Sequence, residues 1–338
     1  MLAHMPDLPA SFRAYVVDRP EGGAFSRGLR EMTPADLPGG EVTVSVEWSG
    51  VNFKDGLAAR ADGKVARSYP LVPGIDLAGT VVASDDGAFP EGSKVLAHGY
   101  DIGTARHGGY AELARVPSGW VVKLPAGLTA RDAMAIGTAG FTAAMSVAAL
   151  EDRGLRPGDG PVLVTGASGG VGSTAVAILA SRGHEVWAAT GKDDEVGRLT
   201  RLGAAGILAR EEVTAPGRPL ETVRWAGAVD TVGAATLPYV LRTLRIGAAV
   251  ASSGNASGPE LATTVFPFIL RGVALLGMDS ANMAIGQRRA LWDRLAADLR
   301  PRGIEEGITE VGLDTLEPAL DAIVAGQARG RWVVRVTG

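Results

Sequence analysis

The stretch Val162-Leu163-Val164-Thr165-Gly166-Ala167-Ser168-Gly169-Gly170-Val171-Gly172 decides how this chain is read. Four apolar or β-branched residues run into a glycine cluster. A helical pattern follows from Ser173 to Ser181, with Ala175, Ile178 and Leu179 on one face. Strand, tight glycine turn and helix, in that order, are what a dinucleotide pyrophosphate requires. The glycines admit phosphate close to the backbone, and the helix N-terminus offers unpaired N–H groups and a partial positive charge. The pattern is Ala167-x-Gly169-x-x-Gly172 in place of three glycines. A glycine-rich turn without a ligand is the competing reading, and the flanking strand and helix favour the phosphate site. Ser168, Gly169, Gly170, Val171, Gly172, Ser173 and Thr174 are then its candidate cofactor contacts.

Outward from that turn, the chain beyond 161 alternates strand and helix. Strands are expected near 162–165, 185–189, 206–208, 228–231, 247–251 and 272–277, with helices near 171–181, 193–202 and 234–244. Six strands in this rhythm predict an α/β domain with a doubly wound, six-stranded parallel sheet. Residues 11–128 instead read mostly as strands punctuated by Gly, Pro and Asp. Glu41 to Val46 alternates with period two, and Ile75–Val82, Lys94–Ala97, Tyr110–Val116 and Trp120–Lys123 are further strand candidates. An alanine-rich helical linker over 129–150 joins the two blocks. A helix from Ala284 to Leu299 and a strand from Trp332 to Val336 are expected to return to the first domain. The expected division is 1–128, 129–280 and 281–338.

Composition narrows the function classes. At 338 residues the chain has room for two domains with separate cores, and its 46% hydrophobic and 21% charged content suits a globular protein. A net charge of −4 argues against a nucleic-acid binder or a partner for anionic membranes. With no cysteine, disulfides, thiolate zinc sites and cysteine-held clusters are excluded. Met1 to Ser11 lacks a basic region followed by an apolar core, and no apolar run approaches the roughly 18 residues of a membrane span. The expectation is a cytoplasmic protein.

Further motifs carry a family resemblance. They include Pro73-Gly74-Ile75-Asp76-Leu77-Ala78-Gly79, Gly108-Gly109-Tyr110-Ala111-Glu112, Val51-Asn52-Phe53-Lys54-Asp55 and Ile136-Gly137-Thr138-Ala139-Gly140-Phe141-Thr142. Trp225 to Gly233 (WAGAVDTVG) and Thr263 to Arg271 (TTVFPFILR) add to them. Over nearly its full length the chain resembles the medium-chain dehydrogenase/reductase superfamily, and within it the acrylyl-CoA reductase group of YhdH/YhfP type. The resemblance implies a GroES-like β-rich catalytic domain, a Rossmann domain, a homodimer and reduction of an activated C=C. Zinc-dependent members use cysteine and histidine ligands. Here Ile75-Asp76 stands where a Gly-His-Glu motif would supply one, and His4, His98, His107 and His184 lack ligand spacing and read as surface or loop residues. No metal is expected.

The cofactor follows from charge. An NAD site places a carboxylate at the tip of the second strand, about 20 residues past the glycines, to bind the ribose 2′-OH. That tip here is Thr190-Gly191-Lys192, where a lysine and a hydroxyl suit the 2′-phosphate of NADPH. Arg210 matches a family arginine expected near the adenine end. For Lys192 a solvated helix flank is the alternative, and for Arg210 a surface ion pair with Glu211 or Glu212. The resemblance adds Phe53, Thr138, Thr142, Asn255, Ile269 and Ser280 to the cofactor lining. Phe53 replaces the tyrosine usual at its position.

For an enoyl thioester, hydride enters at the β-carbon, charge grows on the carbonyl oxygen, and a proton reaches the α-carbon. Asn52 is the candidate oxyanion donor, and Lys54 with Asp55 a candidate pair that supplies the proton. Capping and solvent exposure are the plain alternatives for these three. Arg60, Lys64 and Arg67 are candidate contacts for the coenzyme A phosphates, against a solvated loop. Arg331, in the family-like ending Gly330-Arg331, either meets a ligand or anchors a domain. The expected reaction is NADPH-dependent reduction of acrylyl-CoA to propionyl-CoA. A quinone or 2-alkenal reductase is the alternative, and a non-enzymatic NADPH-binding protein the remote one.

Overall fold

The period-two alternation at Glu41–Val46 seeds the longest strand of the protein. In the computed structural model, which describes residues 8–337 with the Ile304 side chain excepted, Val42, Val44 and Val46 are all fully buried on one face of that strand. His4 and the start of the segment Met1 to Ser11 lie outside the described residues. The first elements are β1 (Phe12–Asp18), β2 (Ser26–Met32), β3 (Val42–Val51), α1 (Phe53–Ala58), β4 (Asp76–Ser84), β5 (Lys94–His98), β6 (Leu113–Val116) and β7 (Val121–Lys123). The expected strand from Tyr110 thus begins only at Leu113. Helix α2 (Ala130–Asp152) follows.

The alternating block supplies β8 (Val162–Thr165), α3 (Gly170–Ser181), β9 (Val186–Thr190), α4 (Val196–Arg201), β10 (Ala204–Ala209), β11 (Gly227–Asp230), α5 (Thr236–Thr243), β12 (Ala249–Ser252), α6 (Phe266–Arg271) and β13 (Ala274–Gly277). The chain ends with α7 (Ile285–Ala296), β14 (Ile308–Gly312), α8 (Leu316–Val324) and β15 (Arg331–Arg335). Helices α6 and α8 and strand β14 have no counterpart in the sequence reading. Each is short, at six, nine and five residues, so a repeat cannot be counted along it.

The chain folds into two units: residues up to Thr138, Ala281–Ala296 and Ile308 onward form one, Ala139–Ser280 and Ala297–Gly307 the other. In the first unit, β1 and β2 form an antiparallel pair. A seven-stranded sheet has the order β14-β15-β3-β4-β5-β7, with β6 also on β3. Its core gathers Val44, Leu77, Val95, Tyr110, Leu316 and Val334. The second unit is a six-stranded sheet ordered β10-β9-β8-β11-β12-β13, parallel throughout. This is the doubly wound arrangement the sequence predicts, with its order reversing beside β8, where such folds bind ligands.

One expectation fails. Helix α2 is long and apolar enough to cross a membrane, although its alanines, glycines and threonines hide this from a scan for solid apolar runs. It is a core helix instead: 78% of its most apolar window is buried, and its backbone leaves the helical region at Gly137.

Candidate active site

In the second unit, β8 ends at Thr165 and α3 starts at Gly170, so the glycine turn sits at the carboxyl end of the first parallel strand. The first helical hydrogen bond runs from Ser173 N–H to Gly169 O, 2.9 Å. The amides of Gly170, Val171 and Gly172 precede it and are donors the helix itself cannot satisfy. A Cβ on Gly172 would lie 2.3 Å from Gly166 O, so only glycine lets the turn close this tightly. Ser173 and Thr174 are fully buried, and the Thr174 hydroxyl bonds back to Gly170 O at 2.8 Å. Thr174 thereby supports the helix, and the outer edge of the turn is Gly169, Gly170 and Val171.

Beside the turn, β9 ends at Thr190. The Thr190 hydroxyl donates to Ser168 Oγ at 3.2 Å and accepts from Lys192 N–H at 3.1 Å. Arg210 lies across the same tip, since a Cβ on Gly191 would fall 2.7 Å from its Nε. Neither Glu211 nor Glu212 pairs with it; Glu212 caps the Ala209 amide instead. Arg198, missed by the sequence reading, holds Glu195 at 2.8 Å and the Ser168 carbonyl at 3.2 Å. Asp230 was missed too. Buried at the end of β11, it accepts from the Thr165 hydroxyl (2.6 Å) and Gly233 N–H (3.0 Å), which ties the β8 and β11 tips together. Burial raises its pKa. Its signal in the sequence is the Asp inside WAGAVDTVG.

Thr142 and Ser280 meet in this unit, their hydroxyls 2.8 Å apart. Asn255 is exposed in the loop after β12. Ile269 is on helix α6 and is 68% exposed. The fit to a pyridine dinucleotide is good: a turn that only glycine can make, helix donors above it, and the cations Lys192 and Arg210 just past the ends of β9 and β10.

In the first unit the Asn52-Phe53-Lys54-Asp55 segment opens α1. Asp55, fully buried at the third helical position, accepts from Asn52 N–H (2.9 Å), Ile75 N–H (2.8 Å) and Gly74 N–H (3.2 Å). Burial first, then the neighbouring Asp76 charge, push its carboxyl up to about 7. The Asn52 amide donates to Asp55 Oδ2 at 3.1 Å and Asp76 Oδ2 at 2.8 Å, and its oxygen accepts from Arg331 at 3.2 Å. Both amide hydrogens are thereby committed, which corrects the expectation of an oxyanion donor. Lys54 and Asp55 are not a pair either. Lys54 is exposed, because one helical position apart the two side chains face different directions. Phe53 is half exposed beside it.

Arg331 is 2% exposed and donates to Ala135 O (2.9 Å), Val51 O (3.4 Å) and Asn52 Oδ1 (3.2 Å). It anchors β15 to α1 and α2, and its burial removes it from the substrate contacts. In the loop after α1, Arg60 pairs with Asp62, and Arg67 with Asp101 and Thr104. Of the three loop cations, Lys64 is exposed without an ion pair among the described residues, and it takes the left-handed backbone at φ 54. His98 and His184 are buried, contrary to the surface expectation. His98 accepts from the Trp292 indole at Nε2 (2.9 Å) and lies 3.2 Å from the Thr138 hydroxyl at Nδ1. Among the described residues, no group of three or more His, Cys, Asp or Glu side chains is placed to hold a metal ion.

Comparison with known proteins agrees with this architecture. Residues 38–126 match the alcohol dehydrogenase GroES-like domain family. The acrylyl-CoA reductase of Ruegeria pomeroyi is 51% identical over 96% of this chain and 99% of its own length. The YhdH oxidoreductase of Salmonella enterica, crystallised with NADP, is 47% identical and superposes with a TM-score of 0.93 over 96% of this chain and 100% of that one. YhfP of Bacillus subtilis, whose name places it among quinone oxidoreductases, is 45% identical over 91% of this chain and 94% of its own. Its structure, with NAD bound, gives a TM-score of 0.94 over 97% of this chain and 100% of that one. A β-rich unit joined to a doubly wound dinucleotide unit is the architecture of an oxidoreductase. This chain belongs to the medium-chain dehydrogenase/reductase superfamily and, within it, to the acrylyl-CoA reductase group of YhdH/YhfP type.

Proposed function

We propose that this protein reduces the C=C bond of acrylyl-CoA to give propionyl-CoA, with NADPH as reductant. The full-length likeness to a protein of that activity carries the reading. NADPH, when bound, supplies a hydride for the β-carbon. The glycine turn and the first amides of α3 hold its pyrophosphate, and Lys192 and Arg210 take the 2′-phosphate at the β9 tip. Thr138, Thr142 and Ser280 orient the nicotinamide. Lys54, solvent-facing in the first turn of α1, stabilises the developing charge on the thioester oxygen, and solvent water supplies the proton that the α-carbon takes up. Lys64 is the cation left to meet a coenzyme A phosphate. The absence of cysteine suits a reducing compartment, the cytoplasm.

NADPH oxidation with acrylyl-CoA, crotonyl-CoA, acrolein and a benzoquinone tests the reading. Acrylyl-CoA is expected to give the highest kcat/KM. A benzoquinone or acrolein turned over at least 10-fold faster sinks the thioester assignment and favours the reading that the name of YhfP suggests. Lys54→Met should lower kcat about 100-fold while leaving NADPH binding intact. The protein is further proposed to be a homodimer. Strand β13 is the edge of the parallel sheet, and next to it in the chain α6 exposes Phe266, Ile269 and Leu270.

A further inference from the structure

Asp76 stands where metal-dependent relatives present a ligand motif, and the reduction outlined above gives it no task. In the structure it is the hub of the buried polar cluster in the first unit. Its two oxygens accept the Thr138 N–H at 3.1 Å each, and Oδ1 accepts the Thr138 hydroxyl at 2.5 Å. Oδ2 accepts the Asn52 amide at 2.8 Å and lies 3.9 Å from the Arg331 guanidinium.

The backbone is shaped around this carboxylate. Helix α2 breaks at Gly137, with φ 51 and ψ −164, and a Cβ there would fall 2.7 Å from Asp76 Oδ2 and 2.6 Å from Arg331. That break turns the Thr138 N–H and hydroxyl toward the same carboxylate. Asp76 is fully buried and Thr138 only partly, so Thr138 is where the cluster comes nearest the outside.

The polarity of the cluster is set from its far end. An indole N–H only donates, so His98 accepts it at Nε2. Burial and the adjacent Arg288 keep the ring neutral. Nδ1 faces the Thr138 oxygen at 3.2 Å. Arg288 Nη1 lies 2.9 Å from Nδ1 and 3.1 Å from Nε2. The Thr138 hydrogen is committed to Asp76, so this hydroxyl cannot donate to a ligand.

We propose that Asp76 is a positioning residue of the reduction, acting through Thr138, whose main chain and hydroxyl it holds in one orientation. The proposal rests on the reading that Thr138 orients the nicotinamide. Its test is a double-mutant cycle of Asp76→Asn and Thr138→Val, assayed with whichever acceptor turns over fastest in the substrate panel. NADPH binding is followed by fluorescence and folding by circular dichroism.

Asp76→Asn should fold, bind NADPH within about 3-fold of wild type and lose roughly 30- to 100-fold in kcat, the scale of a small misplacement. Thr138→Val should lose a similar factor, and the double variant no more than about twice the larger single loss. Losses that multiply in the double variant, or wild-type kcat in Asp76→Asn, overturn the proposal. Wild-type kinetics and NADPH affinity in Thr138→Val remove Thr138 from the cofactor, and the proposal with it. If Asp76→Asn does not fold, Asp76→Glu, which keeps the charge and shifts the oxygens by one methylene, should show the same kcat loss.

Discussion

At the residue scale, position along a strand and position in space carry different information. Lys192 and Arg210 follow strand ends, so local pattern alone sets them at the carboxyl edge of a parallel sheet. The structure adds that Arg210 lies over Gly191 and pairs with neither adjacent glutamate. Lys192→Ala should therefore raise KM for NADPH about 10-fold or more and KM for NADH less than 2-fold; equal effects would dismiss the phosphate contact. Asn52 and Asp55 behave otherwise, because their partners come from 74–76 and 331, distances along the chain that no local motif encodes. The raised carboxyl of Asp55 has a thermodynamic consequence. The folded state holds this proton more tightly than the unfolded chain, so the associated stability is full below about pH 4 and is lost as pH rises through about 7. The stability difference between wild type and Asp55→Asn should shrink by about 2 kcal/mol from pH 5 to pH 8 in urea unfolding. The buried histidines titrate alike in both proteins and cancel. A difference independent of pH would refute the assignment.

At the element scale, the strand–turn–helix from Val162 to Ser181 was legible because each part is locally specified: β-branched residues, then glycines, then a 3.6-residue apolar period. The close approach of Gly172 to Gly166 O makes the turn intolerant of a single methyl group. Gly172→Ala should weaken NADPH binding at least 10-fold in fluorescence titration while the circular dichroism spectrum stays native. Wild-type affinity in that variant would mean that the turn is not the phosphate site. Helix α2 was legible as a helix and not as a broken one. Its break depends on what stands beside Gly137, namely Asp76 from β4 and Arg331 from β15. The same reason hid α8, which packs on α1, and β14, which exists as a strand by pairing with β15.

At the scale of the whole molecule, alternation of strand and helix predicts a parallel sheet, and right-handed crossovers leave few possible orders. The observed order β10-β9-β8-β11-β12-β13 is among them and leaves β13 at an edge. Ile269 and Leu270 are 68% and 61% exposed, a cost in water that a second copy would offset. Light scattering should give twice the 34.7 kDa chain mass for wild type, and the mass of one chain for an Ile269→Arg, Leu270→Arg variant. A monomeric wild type ends the dimer proposal.

The sequence by itself determined the parallel sheet, the place of its glycine turn and the sign of charge at the turn's neighbouring strand tip. Each of these is written in residues close together along the chain. Only the tertiary structure decided that the Asn52 amide is saturated and Arg331 buried, that Lys54 stands apart from Asp55, and that Asp76 lies against the break in α2. Those outcomes belong to a cluster of groups withdrawn from water together. Hydrogen bonding of buried polar atoms is settled by whichever partners the fold brings within about 3 Å, however far apart they lie in the chain.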